Sequence, residues 1–322
     1  MTYPRDLVGY GEHPPDPRWP HQARVVLQFV LNVEEGGENC VLHGDPAAEA
    51  FLSEIPGATP IVGARHMNME SIYEYGARVG FWRVLRVFAR RGLPLTAFAV
   101  SSALARNPEA ARALAEAGHE IATHGHKWID YQHVPPEVEA AHIAEAVATH
   151  TAICGSRPLG FYQGRMSPNT RALVMAEGGF LYDADSYADE LPYWQPGSVE
   201  AGRPHLIVPY TLDANDMRFS TVAGYGQGED FFLYLRDAFD QLWLEGDERP
   251  RVLSVGLHSR LVGRPARARA LERFLDHVAT HDRVWVARRV DIARHWWRHH
   301  LPPGAAVPDA LAAALDPQEP AA

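Results

Sequence analysis

The stretch NVEEGGE places two adjacent carboxylates, Glu34 and Glu35, after an apolar run, and THGHKW places His124, His126 and Trp128 in a similar position. Further along, FYQGR brings Gln163 and Arg165, YDADSY brings Asp183 and Asp185, TLDAND brings Asp213 and Asp216, and GLHSR brings His258 and Arg260. Carboxylates and imidazoles move protons at neutral pH, and they are also the ligands of hydrolytic metal ions. Guanidinium and amide groups match planar oxygen acceptors.

Taken singly, each feature has a plainer explanation. Adjacent glutamates after a strand are commonly a solvated loop. His124 alone reads as a satisfied core histidine. Asp213 and Asp216, beside an asparagine, suit a turn or a helix cap. Arg165 precedes SPNT, a helix start, where a cation gains nothing from the helix dipole, and that placement favours a ligand-binding role. His258 closes a long apolar strand, where a buried imidazole needs partners. Five strand ends decorated in this way are harder to explain as accident than any one of them.

The elements that must position these groups alternate along the chain. ARVVLQFVLNV (23–33) is a nearly continuous β-type run, as expected for a strand covered on both faces. Segments 94–100, 119–125, 159–164, 180–187, 204–213 and 251–261 share that character, and 283–289 is a weaker last strand. Helical spacing fills the intervals, including 70–92 with Gly92 as its cap and 107–118 with Asn107 before Pro108. Alternation of this kind predicts parallel βα units. No glycine pattern for a dinucleotide follows the first strand, which favours a (β/α) barrel of about seven parallel strands over an open sheet. In such a barrel the strand C-termini carry the site, which is where the groups above fall. The expected organisation is a lead-in over 1–22 packed on the barrel, one barrel domain over 23–300, and a loosely ordered Ala/Pro-rich tail over 301–322.

The bulk numbers narrow the function. Hydrophobic residues at 46% allow a sizeable core, and a net charge of −10 argues against nucleic acid or an anionic membrane as partner. No run reaches the length of a membrane span. Two distant cysteines, Cys40 and Cys154, imply no disulfide framework and suit a reducing compartment, and the N-terminus has no apolar signal segment, so a cytoplasmic location is expected. The glycine-rich GYGQGED lacks nucleotide spacing and reads as a loop beside the site. HWWRHH near the C-terminus reads as helix packing rather than a zinc tract.

The ordered set Glu-Glu-Gly, His-x-x-x-Trp, Arg-x-x-Pro, Asp-x-x-Asp and Leu-His resembles the five motifs of the polysaccharide deacetylase family. There the pattern is Thr-Phe-Asp-Asp-Gly, His-Ser/Thr-x-x-His, Arg-x-Pro, Asp-x-x-Asp-Trp and Leu-x-His, on a distorted (β/α) barrel. The resemblance implies a base position for Glu34, ligand positions for Glu35 and His124, and Trp128 where a second histidine ligand belongs. An indole cannot ligate, and a catalytic metal normally takes three protein ligands. Each Glu also displaces its carboxylate by roughly 1.5 Å relative to Asp. His126, on the same side of an extended strand as His124, is the one residue able to supply the missing ligand.

Longer stretches, among them YPRDLVGYG, FVLNVEEGGE, NMESIYEYG, HGHKWIDYQ, GRMSPNTR and GLHSRLVGRP, are similar to the bacterial allantoinase branch of that family over roughly residues 3–300. The resemblance implies a hydrolase that opens the hydantoin ring amide of allantoin to allantoate in purine (urate) catabolism, with no metal or other cofactor, acting on a small molecule as a homotetramer. Expected catalytic residues are Glu34, Glu35, His124, His258, Asp213 and Asp216. Arg165, Gln163, Trp128 and His126 are expected to bind substrate. The alternatives are a hydrolase of another cyclic amide, such as a cyclic imide or dihydropyrimidine, then a metal-dependent polysaccharide N-deacetylase, and then a catalytically dead barrel that binds a ligand.

Overall fold

The structure is a computed structural model that describes residues 5–315. In chain order its elements are β1 (Val25–Val33), α1 (Met67–Tyr75), α2 (Phe81–Ala89), β2 (Thr96–Ala99), α3 (Ser101–Arg106), α4 (Pro108–Glu116), β3 (Glu120–Thr123) and α5 (Pro136–Cys154). There follow β4 (Gly160–Phe161), α6 (Thr170–Glu177), β5 (Tyr182–Asp183), β6 (Tyr193–Trp194), β7 (Leu206–Ile207), α7 (Gly228–Glu245), β8 (Arg251–His258), α8 (Pro265–Val278), β9 (Val284–Val286), α9 (Arg289–His299) and α10 (Asp309–Leu315).

All nine residues of β1 are buried, and they divide with period two. Val25, Leu27, Phe29, Leu31 and Val33 pack outward with α2, α7 and α8. Val26 and Val30 face inward with Phe98, Tyr162, Tyr182 and Tyr210. The strand is therefore apolar throughout because both of its faces are covered. Its two polar residues also point inward and are paired: Gln28 Oε1 accepts from Arg289 Nη1 (3.0 Å), and Asn32 Nδ2 donates to Tyr210 Oη and Leu257 O (both 3.1 Å).

The strands lie in the order β6-β7-β5-β4-β3-β2-β1-β8, with β9 also on β1. All pair in parallel except β6, which runs antiparallel to β7. One edge of β1 is shared: β9 pairs with Val25–Leu27 and β2 with Val30–Val33, while β8 runs along the other edge from Val25 to Asn32. The sheet curls into a distorted (β/α) half-barrel of nine strands, where about seven were expected. The weaker last strand read over 283–289 is present as β9, and the addition is the edge strand β6.

Arg289 sits inside the barrel with no exposed surface. Its guanidinium donates to Gln28, Ser254 and the carbonyls of Val208 and Pro209, and so ties β1, β8 and the chain after β7 together. Below it α9 buries Trp296 and Trp297 against the interior. The lead-in packs here too: Trp19 lies among Trp285, His295 and Trp296, and the Pro17 carbonyl accepts from His295 Nε2 (2.8 Å).

Two expectations change. The helix read over 70–92 is broken by a π turn at Gly76–Gly80, between α1 and α2. The tail from 301, expected to be loosely ordered, carries α10, whose Leu311 is buried and whose Ala314 carbonyl accepts from Arg294 Nε. Residues 1–4 of the lead-in and 316–322 of the tail lie outside the described residues. Among the described residues no helix is long and apolar enough to cross a membrane.

Candidate active site

Several strands of the half-barrel deliver polar residues at their C-terminal ends, and three of these ends meet. Glu34 follows β1, His124 follows β3, and His258 closes β8. Glu34 Oε1 lies 3.5 Å from Nε2 of His124 and 3.5 Å from Nε2 of His258, so one carboxylate oxygen stands between two imidazoles. Its other oxygen is 2.7 Å from Nη2 of Arg260, two residues beyond His258. Behind His258, Asp216 accepts from Nδ1 (2.6 Å), from the His258 backbone N–H (2.7 Å) and from that of Val262 (2.9 Å). Asp216 opens a 3-10 turn over Asp216–Ser220, which aims its carboxylate back at the end of β8.

All of these groups are buried, and burial sets their proton affinities together with the neighbouring charges. For Glu34 burial acts against ionisation, but Arg260 and His258, with hydrogen bonds from both histidines, hold it well below the usual carboxylate range. For His258 burial opposes the charge, yet Glu34 and Asp216 outweigh it and push the imidazolium up to about 9. Glu35 goes the other way: burial raises it, only partly offset by Arg260, with adjacent Glu34 adding to the rise. The centre at neutral pH is thus a carboxylate, an imidazolium and a guanidinium, backed by Asp216.

A second group forms the wall. Arg260 lies 4.3 Å from the Tyr73 ring and 5.3 Å from that of Trp128, and its Nε donates to Leu52 O (3.0 Å). Arg165 stacks on the same Trp128 at 4.2 Å and on Phe51 at 4.6 Å, with Glu49 3.5 Å from its Nη1. Trp128 therefore separates two cations and offers a π face to each. Tyr162 flanks His124 with ring centroids 4.9 Å apart. The buried atoms His124 Nδ1 and Gln163 Nε2 have no hydrogen-bond partner among the described residues, so both remain available to a bound molecule.

The expected residues separate accordingly. Glu34, His124, His258 and Asp216 come together, and Arg165, Trp128 and Gln163 stand near them. Glu35 does not face His124. Its side chain lies against Gly76 of the π turn, where an added Cβ would strike the carboxylate, and Oε2 accepts from the Glu34 N–H (3.3 Å). Asp213 is exposed and bonded to Thr211 and Tyr234, apart from the Glu34 cluster. His126 turns aside to Ser101 Oγ (3.0 Å) and His142, because Gly125 at φ +73° breaks the extended backbone on which alternate side chains share a face. Asp185 accepts the Gln163 and Gly164 N–H groups (2.7 Å each) and positions that loop. Arg260, noted at its strand end without a role, proves central. Its signal was its place two residues after His258.

This donor set does not fit a catalytic metal. Trp128 cannot ligate, His126 points elsewhere, and Arg260 already places a fixed cation on Glu34 and, 3.5 Å from its Nη1, on Glu35 Oε1. Among the described residues, the only three His, Cys, Asp or Glu side chains whose ligand atoms all lie within 4.8 Å of one another are Asp240, His277 and His281, far from these strand ends.

Comparison with known proteins gives the chain its relatives. Residues 69–177 match the family model described as Polysaccharide deacetylase. A Schizosaccharomyces pombe protein of polysaccharide-deacetylase type is 41% identical over 318 residues, covering 93% of this chain and 99% of its own length. The crystal structure of a Pseudomonas aeruginosa PAO1 protein of the same type is 60% identical, with a TM-score of 0.91, over 92% of this chain and 99% of that one. The crystal structure of PuuE allantoinase is 57% identical, with a TM-score of 0.92, over 93% of this chain and 99% of that one. At this identity over nearly the whole length, the chain belongs to the polysaccharide deacetylase family of hydrolases.

Proposed function

We propose that the protein hydrolyses the hydantoin ring amide of allantoin to allantoate, with side chains rather than a metal handling the protons. The observation that carries this reading is Glu34 Oε1 set between His124 and His258 while Oε2 is held by Arg260. The likeness to PuuE allantoinase over nearly the full length supports the substrate.

A carboxylate held as low as Glu34 is a weak proton acceptor, so its part is to orient the imidazoles on either side. His124, held by Glu34 at Nε2, takes the proton of the attacking water on its unpartnered Nδ1. Water oxygen bonds to the ring carbonyl carbon, and the Gln163 amide N–H and Arg165 receive the developing oxyanion and the ureido oxygen. Collapse breaks the C–N bond, and His258, an imidazolium up to about pH 9, protonates the leaving nitrogen. Trp128 closes the pocket and keeps both guanidinium planes in place.

The test is one assay of exhaustively chelated protein against allantoin, a simple cyclic imide and an N-acetylated oligosaccharide. Undiminished opening of allantoin is the expected outcome. Turnover of the oligosaccharide alone, abolished by chelation, would refute the proposal.

A further inference from the structure

A second cluster lies on the helical layer. Asp240 of α7 and His277 of α8 meet with Oδ1 2.6 Å from Nε2, and His281, one turn further on, brings its Nε2 to 3.9 Å from the same oxygen. The ligand atoms of all three lie within 4.8 Å of one another, and the side chains are 20–38% exposed, which leaves room for water at an open position.

An ion pair between Asp240 and His277 would need only one imidazole. The second is not idle: His281 Nδ1 lies 3.1 Å from the His277 carbonyl, which can only accept, and 3.2 Å from Thr280 Oγ1, whose own proton goes to that carbonyl (2.7 Å). Nδ1 therefore carries the proton. That leaves Nε2 facing a carboxylate oxygen, a position to be filled by a second ring proton or by a bound cation. A backbone carbonyl on the remote nitrogen is also how metal-bound histidines are oriented. Phe239 and Trp243 pack edge-on to the His281 ring, with centroids 5.0 and 5.2 Å away, and fix its plane. Ligands 2.0–2.1 Å from one ion stand roughly 3 Å apart. A small side-chain rotation from the present 2.6 Å reaches that spacing.

We propose that Asp240, His277 and His281 form a binding site for a divalent transition metal of the zinc type, the class that two imidazoles and a carboxylate select. The site joins α7 to α8 near their C-terminal ends, where the chain turns into β8 and β9. This is the face opposite Glu34, where a barrel keeps stabilising rather than catalytic features. The ion would pin two helices that cover β1 and β8.

The experiment titrates Zn2+ into metal-stripped full-length protein by calorimetry and follows the melting temperature, for wild type, His281→Ala and Asp240→Asn. One ion per chain and a rise of roughly 2–5 °C on saturation are expected for wild type. Both variants should lose at least tenfold in affinity together with the metal-dependent rise, at unchanged allantoin turnover. The change on adding metal is the readout, so a lower starting melting temperature in a variant does not obscure it. Absence of Zn2+ uptake by the wild type, or equal affinity in wild type and His281→Ala, overturns the proposal.

Discussion

Glu34 is the residue on which the buried charges depend, since Arg260, His124 and His258 all converge on it. Glu34→Gln keeps its size and removes its charge. Turnover of allantoin should fall by about 10²–10⁴-fold, measured as kcat at saturating substrate. Asp216→Asn removes a carboxylate that holds the proton on His258. If His258 is the acid, wild-type activity declines as pH rises through about 9, and the variant's decline moves to lower pH, read from a kcat/KM profile. Stability follows the same groups with opposite signs. His258 is raised above its ordinary 6.5, so its contribution is complete below that value and is lost as pH climbs through about 9. Glu34 is displaced downward from 4.5, so its contribution is present above that value and disappears as pH falls. Melting temperature against pH checks both. Strand-end position in the sequence was enough to find Glu34, His124, Asp216 and His258. It could not separate Asp216 from Asp213 or Glu34 from Glu35, because neighbours in a loop differ in direction, and direction is set by a 3-10 turn in one case and by contact with Gly76 in the other.

The element that shapes this neighbourhood most is the π turn between α1 and α2. Gly76 lets the Glu35 carboxylate lie against the helix backbone, and Gly80 packs on the Ser259 carbonyl and Gly263 beside Arg260. Gly80→Ala would force a methyl group into that carbonyl and push the end of β8 away. A stability loss of about 1–3 kcal/mol by urea unfolding is expected, with a drop in kcat because Arg260 leaves Glu34. Helical periodicity runs straight through 70–92, so an inserted residue that widens one turn leaves no trace in the apolar spacing; only the two glycines marked the place. The strands with long apolar runs, β1 and β8, were legible for the same reason they are buried. By contrast β6, two half-buried residues between prolines, and α3, a six-residue helix straight after β2, are set by tertiary contacts that no local pattern records.

For the whole molecule, Arg289 ties the chain after β7 to β1 and β8 across a seam that otherwise carries the isolated parallel bridge between Asn215 and Gly256. Arg289→Met would leave Gln28, Ser254 and two carbonyls unpaired in the interior, at a cost of about 3–5 kcal/mol. Arg289→Lys should restore little of it, since one ammonium cannot reproduce a fork that reaches both sides. Denaturant midpoints of the two variants test this. The barrel class was legible because strand and helix patterns alternate. The seam was not, because Arg289, next to Arg288 at a helix start, looks like any surface cation. The fork on β1 has a consequence for how the chain is made. Val25–Val33 leaves the ribosome early, but its partners β8 and β9 follow more than two hundred residues later. At 5–20 residues per second, that nine-residue apolar strand waits roughly 10–45 seconds for β8 and β9. Closure of the sheet across β1 therefore waits until most of the barrel has been made, although β2 can pair with Val30–Val33 much sooner. The uncovered strand is a natural target for a chaperone.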